Sequence, residues 1–240
     1  MTDNTLGPPA ISNLPPAGDR KAAMPFIMLT VLIDMAAIGL IVPVLPSIVG
    51  SFTGSQSDQA LWYGVVSTAF GFANFFGAPV LGALSDKYGR RPVLLLGFCG
   101  LGVTFFATAL ATALWMLIVA RLIGGAMQAN AAVCNAYVAD ITPPELRAKR
   151  FGMLGAMFGV GFIIGPVMGG LLGAVNLRLP FFVAGALSLL NLLYGYFVLP
   201  ESLPMDKRRA FNWSTTNPFT SLAELSKLGD VGPLDRKSVV

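Results

Sequence analysis

The sequence predicts an all-α membrane protein with six transmembrane helices, and three observations support this class. Of the 240 residues, 55% are hydrophobic and only 12% are charged, whereas soluble domains carry about 25% charged residues. The apolar residues form six segments, each near the ~20 residues that a helix needs to cross a bilayer. The basic residues occupy alternate loops between these segments. This composition argues strongly against a soluble globular enzyme.

The apolar segments define the predicted domain organisation. They cover residues 24–49, 62–84, 92–112, 114–138, 151–174 and 179–199. The sequence thus divides into a disordered cytoplasmic tail (1–21), a six-helix transmembrane domain (22–200) and a second, polar cytoplasmic tail (201–240). Segments 1 and 4 each hold one ionisable residue and segments 2 and 5 are rich in glycine, a pattern that indicates a 3+3 inverted repeat.

Lysine and arginine positions predict the orientation. Of the 16 basic residues, Arg178 alone lies in a loop on one side and Arg121 lies inside segment 4. All the others lie on the opposite side, which the positive-inside rule assigns to the cytoplasm. Both termini are therefore predicted to be cytoplasmic in a multi-pass membrane protein. The net charge of +4 follows from these loops, so the bilayer and not nucleic acid is the expected partner.

The residue inventory excludes several kinds of site. The chain has no histidine and two cysteines, Cys99 and Cys134, both inside apolar segments. No metal site, disulfide framework or histidine-dependent catalytic triad is therefore expected, and no cofactor is predicted.

Segment 1 carries Asp34 in the middle of an apolar run. A carboxylate in hydrocarbon costs at least ~2.5–3.5 kcal/mol, so Asp34 needs a partner, a water-filled cavity or a proton. It is a candidate proton or cation site; the alternative is a structural carboxylate bonded to a neighbouring helix. Pro43 and Pro46 should bend the helix after this point.

The loop between segments 2 and 3 reads GALSDKYGRRP over residues 82–92. Gly82 allows close approach of another helix, and Gly89 allows a left-handed turn. Asp86, Arg90 and Arg91 add more charge than a positive-inside loop needs by itself, which makes this loop a candidate functional element.

Segment 4 carries a polar stripe in an apolar helix. At 100° per residue, Arg121, Gln128 and Asn135 stay within about 40° of each other on one face. Arg121 cannot lose its charge, so this face is predicted to line an aqueous cavity; the alternative is that the stripe only joins helices. Asn130 lies about 180° away from Arg121 and is predicted to bond another helix.

Segment 5 carries small residues at a spacing of four. Gly161, Gly165 and Gly169 form overlapping GxxxG patterns, with Pro166 and Gly170 beside them. Such a face lets another helix approach closely or slide.

These motifs together resemble the N-terminal half of a major facilitator superfamily transporter, and most closely the drug:proton antiporters of the tetracycline-efflux-like group. The residues that carry the resemblance are Asp34 with GLIVPVLP, the loop 82–92, Arg121 with Gly124 and Gly125, AYVADIT at the end of segment 4, and Gly165-Pro166 with Gly169-Gly170. The stretch RAFNWSTTNPFTSL in the second tail resembles the start of the central cytoplasmic loop.

The resemblance implies a role for each motif. Asp86, Arg90 and Asp140 would form a cytoplasmic conformational latch. Arg121 would couple proton movement to the conformational change, and Asp34 would face the path of a small hydrophobic or amphipathic substrate such as a tetracycline-like drug. Segment 5 would pack against the opposite half. The proton gradient would supply the energy, in a bacterial inner membrane.

Two alternatives remain for a chain that carries one of the two halves of such a transporter. It works in proton-coupled efflux by dimerising or by pairing with a second half, or it is a truncated product without transport activity of its own. An intramembrane enzyme is disfavoured because Asp34 and Asp140 lie far apart, and a channel is disfavoured because no repeated ring of ligands is visible.

Overall fold

A computed structural model describes residues 17–128 and 130–211, and it contains only helices and connecting turns in that part of the chain. The helices are α1 (Ala17–Ile41), α2 (Leu45–Gly50), α3 (Gln56–Tyr88), α4 (Arg90–Ala109), α5 (Leu114–Gln128), α6 (Asn130–Ile141), α7 (Pro144–Val175) and α8 (Leu179–Val198), followed by a 3-10 turn at Met205–Lys207.

Six helical stretches are long and apolar enough to cross a membrane, and each corresponds to one predicted segment. Segment 1 comprises α1 and α2, segment 4 comprises α5 and α6, and each of the other segments is one helix. The predicted fold class, an all-α bundle of six membrane-spanning helices, is therefore confirmed.

The proline-rich end of segment 1 was predicted to bend the helix, and in the structure the helix is interrupted there. A turn over residues 42–44 separates α1 from α2. Pro43 lacks the N–H that a continuing helix needs, whereas Pro46 lies in the first turn of α2, where that N–H has no helical partner.

Other boundaries differ from the predicted ones. α1 begins at Ala17, inside the stretch predicted to be disordered, because alanine, arginine and lysine have high helix propensity. The rest of that tail and the predicted tail after Phe211 lie outside the described residues. α3 and α7 have 33 and 32 residues, so each is about 50 Å long and longer than its apolar segment.

The core consists of two apolar clusters stacked along the helix direction. One joins the Met24 end of α1 to Val93, Tyr137 and Leu199, and the other joins the Ile41 end of α1 to Phe105 and Phe181. α1 packs against α7 and α8, α3 against α5, and α4 against α5 and α8. This arrangement buries the middle of α1, where Asp34 lies.

α3 and α7 bury little of their surface inside the chain. Large apolar side chains are exposed along α7, including Phe162, Ile163, Val167 and Leu171. In a membrane these two helices are covered by lipid or by another group of helices.

Candidate functional site

Asp34 lies on α1, and its side chain is buried against Gln128 of α5. Its side chain is 6% exposed, and its Oδ2 accepts a hydrogen bond from Nε2 of Gln128 at 3.2 Å. The structure describes no basic side chain within ion-pair distance of Asp34. A buried carboxylate with one neutral donor is poorly compensated, and it can relieve the cost by taking up a proton or a cationic ligand.

A cavity of about 240 Å³ opens at Asp34. Thr30 and Asp34 of α1, Asn135 of α6 and Phe158 of α7 are among the residues that line it. Its wall is mostly apolar with a few polar groups, as is usual for small-molecule sites. The cavity therefore places a mostly apolar wall beside an ionisable carboxyl group.

The residues of the polar stripe of segment 4 lie in two different environments. Gln128 bonds Asp34 and Asn135 lines its cavity, whereas Arg121 does not line it. The structure therefore places Arg121 outside the cavity at Asp34, and the prediction that this end of the stripe faces an aqueous cavity stays a prediction. Seven residues of helix rise about 10.5 Å, so Arg121 lies two turns beyond Gln128.

Arg121 lies between aromatic rings. Its Cζ is 5.8 Å from the ring centre of Phe70 and 5.9 Å from that of Phe181, within the range of cation–π attraction. It is 8% exposed, and its Nε and Nη2 are buried without a hydrogen-bond partner. No carboxylate in the described part of the chain lies within 4.0 Å. Such a group needs water or a partner.

Asn130 takes the structural place predicted for it. Its Nδ2 donates to the backbone oxygen of Leu94 at 3.1 Å, and the residue is completely buried. This bond joins α6 to α4.

Arg90, at the beginning of α4, gathers the charged residues of the 82–92 loop. Its guanidinium contacts Asp86 at 2.6 Å and Asp140 at 3.0 Å, and it donates to Oγ of Ser85 at 2.6 Å. Gly89 makes the tight connection with a φ of 104° and a ψ of 159°, an extended conformation of positive φ that favours glycine and differs from the left-handed turn predicted for it. The three residues expected to form a latch are thus in contact, and the latch role itself stays a prediction.

Two other residues of this loop contribute no side-chain contact to the cluster around Arg90. Arg91 donates to the backbone oxygen of Tyr196 on α8 at 2.6 Å. A Cβ at Gly82 would have nothing within 4 Å, so among the described residues no helix makes the close approach predicted there.

Glu201 is a residue of this cluster that the sequence analysis did not single out. Its carboxylate accepts the backbone N–H of Arg90 at 2.8 Å, that of Arg91 at 3.3 Å and that of Leu203 at 3.1 Å. It thereby caps α4, since an acid at a helix N-terminus satisfies free N–H groups and complements the helix dipole. The sequence did contain a signal for this contact, because Glu201 follows segment 6 on the same predicted side of the membrane as the 82–92 loop.

The stretch after α8 also reaches the two aspartates of the cluster. Oγ of Ser202 donates to Oδ2 of Asp140 at 3.2 Å, and the backbone N–H of Arg209 donates to the backbone oxygen of Asp86 at 3.0 Å. The beginning of the predicted second tail is therefore part of the cluster and lies against the loop.

Replacing Glu201 by Ala is expected to destabilise the bundle by about 1–3 kcal/mol, because three buried or partly buried N–H groups lose their acceptor. Thermal unfolding in detergent measures the change. Asp206→Ala is the matched control, since Asp206 is exposed and should change the melting temperature little. Equal shifts for the two variants would contradict the capping role.

The glycine face of α7 packs on α1. A Cβ at Gly165 would lie 2.6 Å from Cα of Gly39, one at Gly161 would lie 2.6 Å from the backbone oxygen of Leu32, and one at Gly169 would overlap Leu40. A Cβ at Gly170 would have nothing within 4 Å. The predicted close approach therefore occurs, and the partner is α1 of the same bundle. The packing of α7 against an opposite half stays a prediction.

Six membrane-length helices around a poorly compensated carboxylate and an unpaired arginine define a transporter-type helical bundle. Residues 27–231 match the sequence model of the family described as "Major Facilitator Superfamily". The chain therefore belongs to this superfamily. The superfamily consists of transporters and not of enzymes.

Proteins of known name support the assignment. The chain is 45% identical to the class C tetracycline resistance protein of Escherichia coli over 79% of this chain and 49% of that protein. It is 42% identical to the class H protein of Pasteurella multocida over 84% of this chain and 51% of that protein. The human organic anion transporter MFSD10 (TETRAN) has a similar structure, with a TM-score of 0.76 and 25% identity over 93% of this chain and 58% of that one. The chain spans about half the length of the curated relatives it matches.

Proposed function

We propose that this chain forms the amino-terminal six-helix bundle of a proton-coupled efflux transporter for a small amphipathic compound, with tetracyclines as the first candidates. The transporter exchanges the compound for protons across a bacterial inner membrane, with both ends of the bundle in the cytoplasm. The proton gradient supplies the energy, and no cofactor takes part. The observation that carries this proposal is the buried carboxyl group of Asp34 at the wall of a mostly apolar cavity.

Asp34 is the group that alternates between a proton and the substrate. Its only described partner is the neutral Gln128, so its charge is left for an exchangeable cation to balance. The aromatic and aliphatic wall, including Phe98 and Phe158, suits the apolar part of an amphipathic compound. The similarity to tetracycline resistance proteins supports the choice of substrate.

Arg121 is proposed to couple proton movement to the conformational change. Two of its guanidinium nitrogens are buried without a hydrogen-bond partner. These two N–H donors are therefore available to bind an acceptor in another conformation of the transporter. Water or a group from a neighbouring helix would satisfy these donors at a different stage of transport.

A second six-helix bundle is proposed to close the path. Substrates of this fold bind near the membrane midplane between repeats. α3 and α7 expose broad apolar faces that a second bundle would cover. The cluster of Asp86, Arg90 and Asp140 would hold one state of the assembly and release it during exchange.

Uptake of tetracycline into everted membrane vesicles tests the proposal. Vesicles in which this chain is assembled with a second six-helix bundle should accumulate the drug when the interior is acidified, and a protonophore should abolish the accumulation. Vesicles with this chain as a proven monomer should show none. Protonophore-insensitive accumulation would contradict proton coupling, and saturable transport by the monomer would contradict the need for a second bundle.

A further inference from the structure

A second cavity, of about 380 Å³, lies between the first turns of α7 and the beginning of α1. Met24, Pro25 and Met28 line it from α1, and Leu146, Lys149, Arg150 and Met153 line it from α7. It shares no lining residue with the cavity at Asp34. It lies at the end of the bundle that carries the Arg90 cluster, because α7 begins just after Asp140.

The two cations of this cavity have no described carboxylate partner. Neither Lys149 nor Arg150 forms an ion pair within 4.0 Å among the side chains that the structure describes. Glu145, one turn before Lys149 on the same face of α7, forms none with it either. Nη1 of Arg150 is buried without a hydrogen-bond partner. A buried guanidinium donor of this kind lacks the acceptor that it would normally have.

The neighbouring basic residue of α7 is used differently. Arg147 donates to the backbone oxygens of Thr142 and Ala139 and therefore has acceptors within the chain. Of the three basic residues in the first turns of α7, Arg147 is thus the one with described hydrogen-bond acceptors, and the other two, Lys149 and Arg150, line the cavity.

We propose that this cavity binds the phosphate headgroup of an anionic phospholipid. Arginine offers a planar fork that matches phosphate, and lysine adds a mobile point charge. The three methionines provide adaptable apolar contacts for the glycerol and upper acyl chains. Basic pockets between transmembrane helices at the cytoplasmic side are sites for such headgroups.

The combined lining favours a lipid over free phosphate. A free phosphate ion would gain from the two cations alone, while five of the seven lining residues are apolar or proline. The lipid would join α1 to α7 at the end of the contact made by the glycine face. It would thus stabilise the pairing of these helices independently of any transported compound.

Native mass spectrometry of the full chain with phosphatidylglycerol or phosphatidylcholine tests the proposal. We expect phosphatidylglycerol to be retained and phosphatidylcholine to be lost. Lys149→Ser combined with Arg150→Ser should weaken phosphatidylglycerol binding about tenfold or more, because each basic residue contributes to attraction of anionic lipid. Lys87→Ser combined with Lys207→Ser removes the same charge from exposed positions and should leave binding unchanged.

A third variant and a second ligand complete the experiment. Met153→Trp changes no charge, fills the apolar part of the cavity and should also weaken phosphatidylglycerol binding, which separates the site from general surface attraction. Equal losses in the two serine double variants, equal retention of both lipids, or retention unaffected by Met153→Trp would each overturn the proposal. Inorganic phosphate that raises the melting temperature as much as phosphatidylglycerol, and only when Lys149 and Arg150 are present, would assign the site to free phosphate and overturn the lipid.

Discussion

Replacing Asp34 by Asn is expected to abolish proton-driven transport in an assembly that transports, and to leave the bundle folded. Asparagine has nearly the same shape and still offers an oxygen to Gln128, which donates to Asp34 in the wild type. It cannot bind and release a proton, so an exchange that depends on this group stops. Removing a buried, poorly compensated charge should not lower the melting temperature.

Everted vesicles with an imposed pH gradient measure the loss, and thermal unfolding checks the fold. Asp58→Asn is the matched control, because Asp58 is an exposed acid in the first turn of α3, away from the cavity. The control should retain transport. Unchanged coupled transport in Asp34→Asn would remove Asp34 from the proton path.

Replacing Gly165 by Ala is expected to destabilise the bundle by about 1–3 kcal/mol, the usual cost of overpacking. The added Cβ would lie 2.6 Å from Cα of Gly39 and 2.7 Å from the backbone oxygen of Ala36. Backbone atoms cannot move aside as a flexible side chain can, so α7 must separate from α1.

Gly170→Ala provides a control of opposite sign. The added Cβ there meets nothing within 4 Å, and alanine is better than glycine in a helix by about 1 kcal/mol. Gly170→Ala should therefore melt at the same temperature as the wild type or higher, whereas Gly165→Ala should melt lower. Equal melting temperatures for the two variants would contradict the close packing of α7 on α1.

The course of the helices was largely predictable from the sequence, because it depends on local properties. Hydropathy located all six membrane-length stretches, and Pro43 marked the break between α1 and α2. The ends were less predictable. α3 and α7 continue beyond their apolar segments because a helix can project from the membrane once it has begun, and hydropathy alone does not mark where it stops.

The residues that form the sites were predictable from the sequence, but the contacts that these residues make were less predictable. The sequence indicated Asp34, Arg121 and Arg90 as charges that need partners. The partner of Asp34 is Gln128, and Arg121 lies apart between Phe70 and Phe181. Periodicity places residues on a common face of one helix, and it does not say how far along that face a cavity extends.

The cap of α4 by Glu201 shows the same limit over a longer stretch of sequence. More than 100 residues separate Glu201 from Arg90, and only the return of α8 to the same end of the bundle brings them together. A single acidic residue after a transmembrane helix can form an ion pair, cap a helix or face solvent. Which of these it does depends on the residues that the fold brings next to it.

Hydropathy and helical periodicity were enough to predict a six-helix membrane bundle, the residues that are costly to bury, and the helix face made of small residues. These properties follow from transfer energies and helical periodicity, which act within one segment. Tertiary packing was needed to show that the glycine face of α7 meets α1, that Gln128 faces Asp34, and that Lys149 and Arg150 border a second cavity. Those outcomes depend on how distant helices pack together, because packing is decided by the shapes of several helices at once.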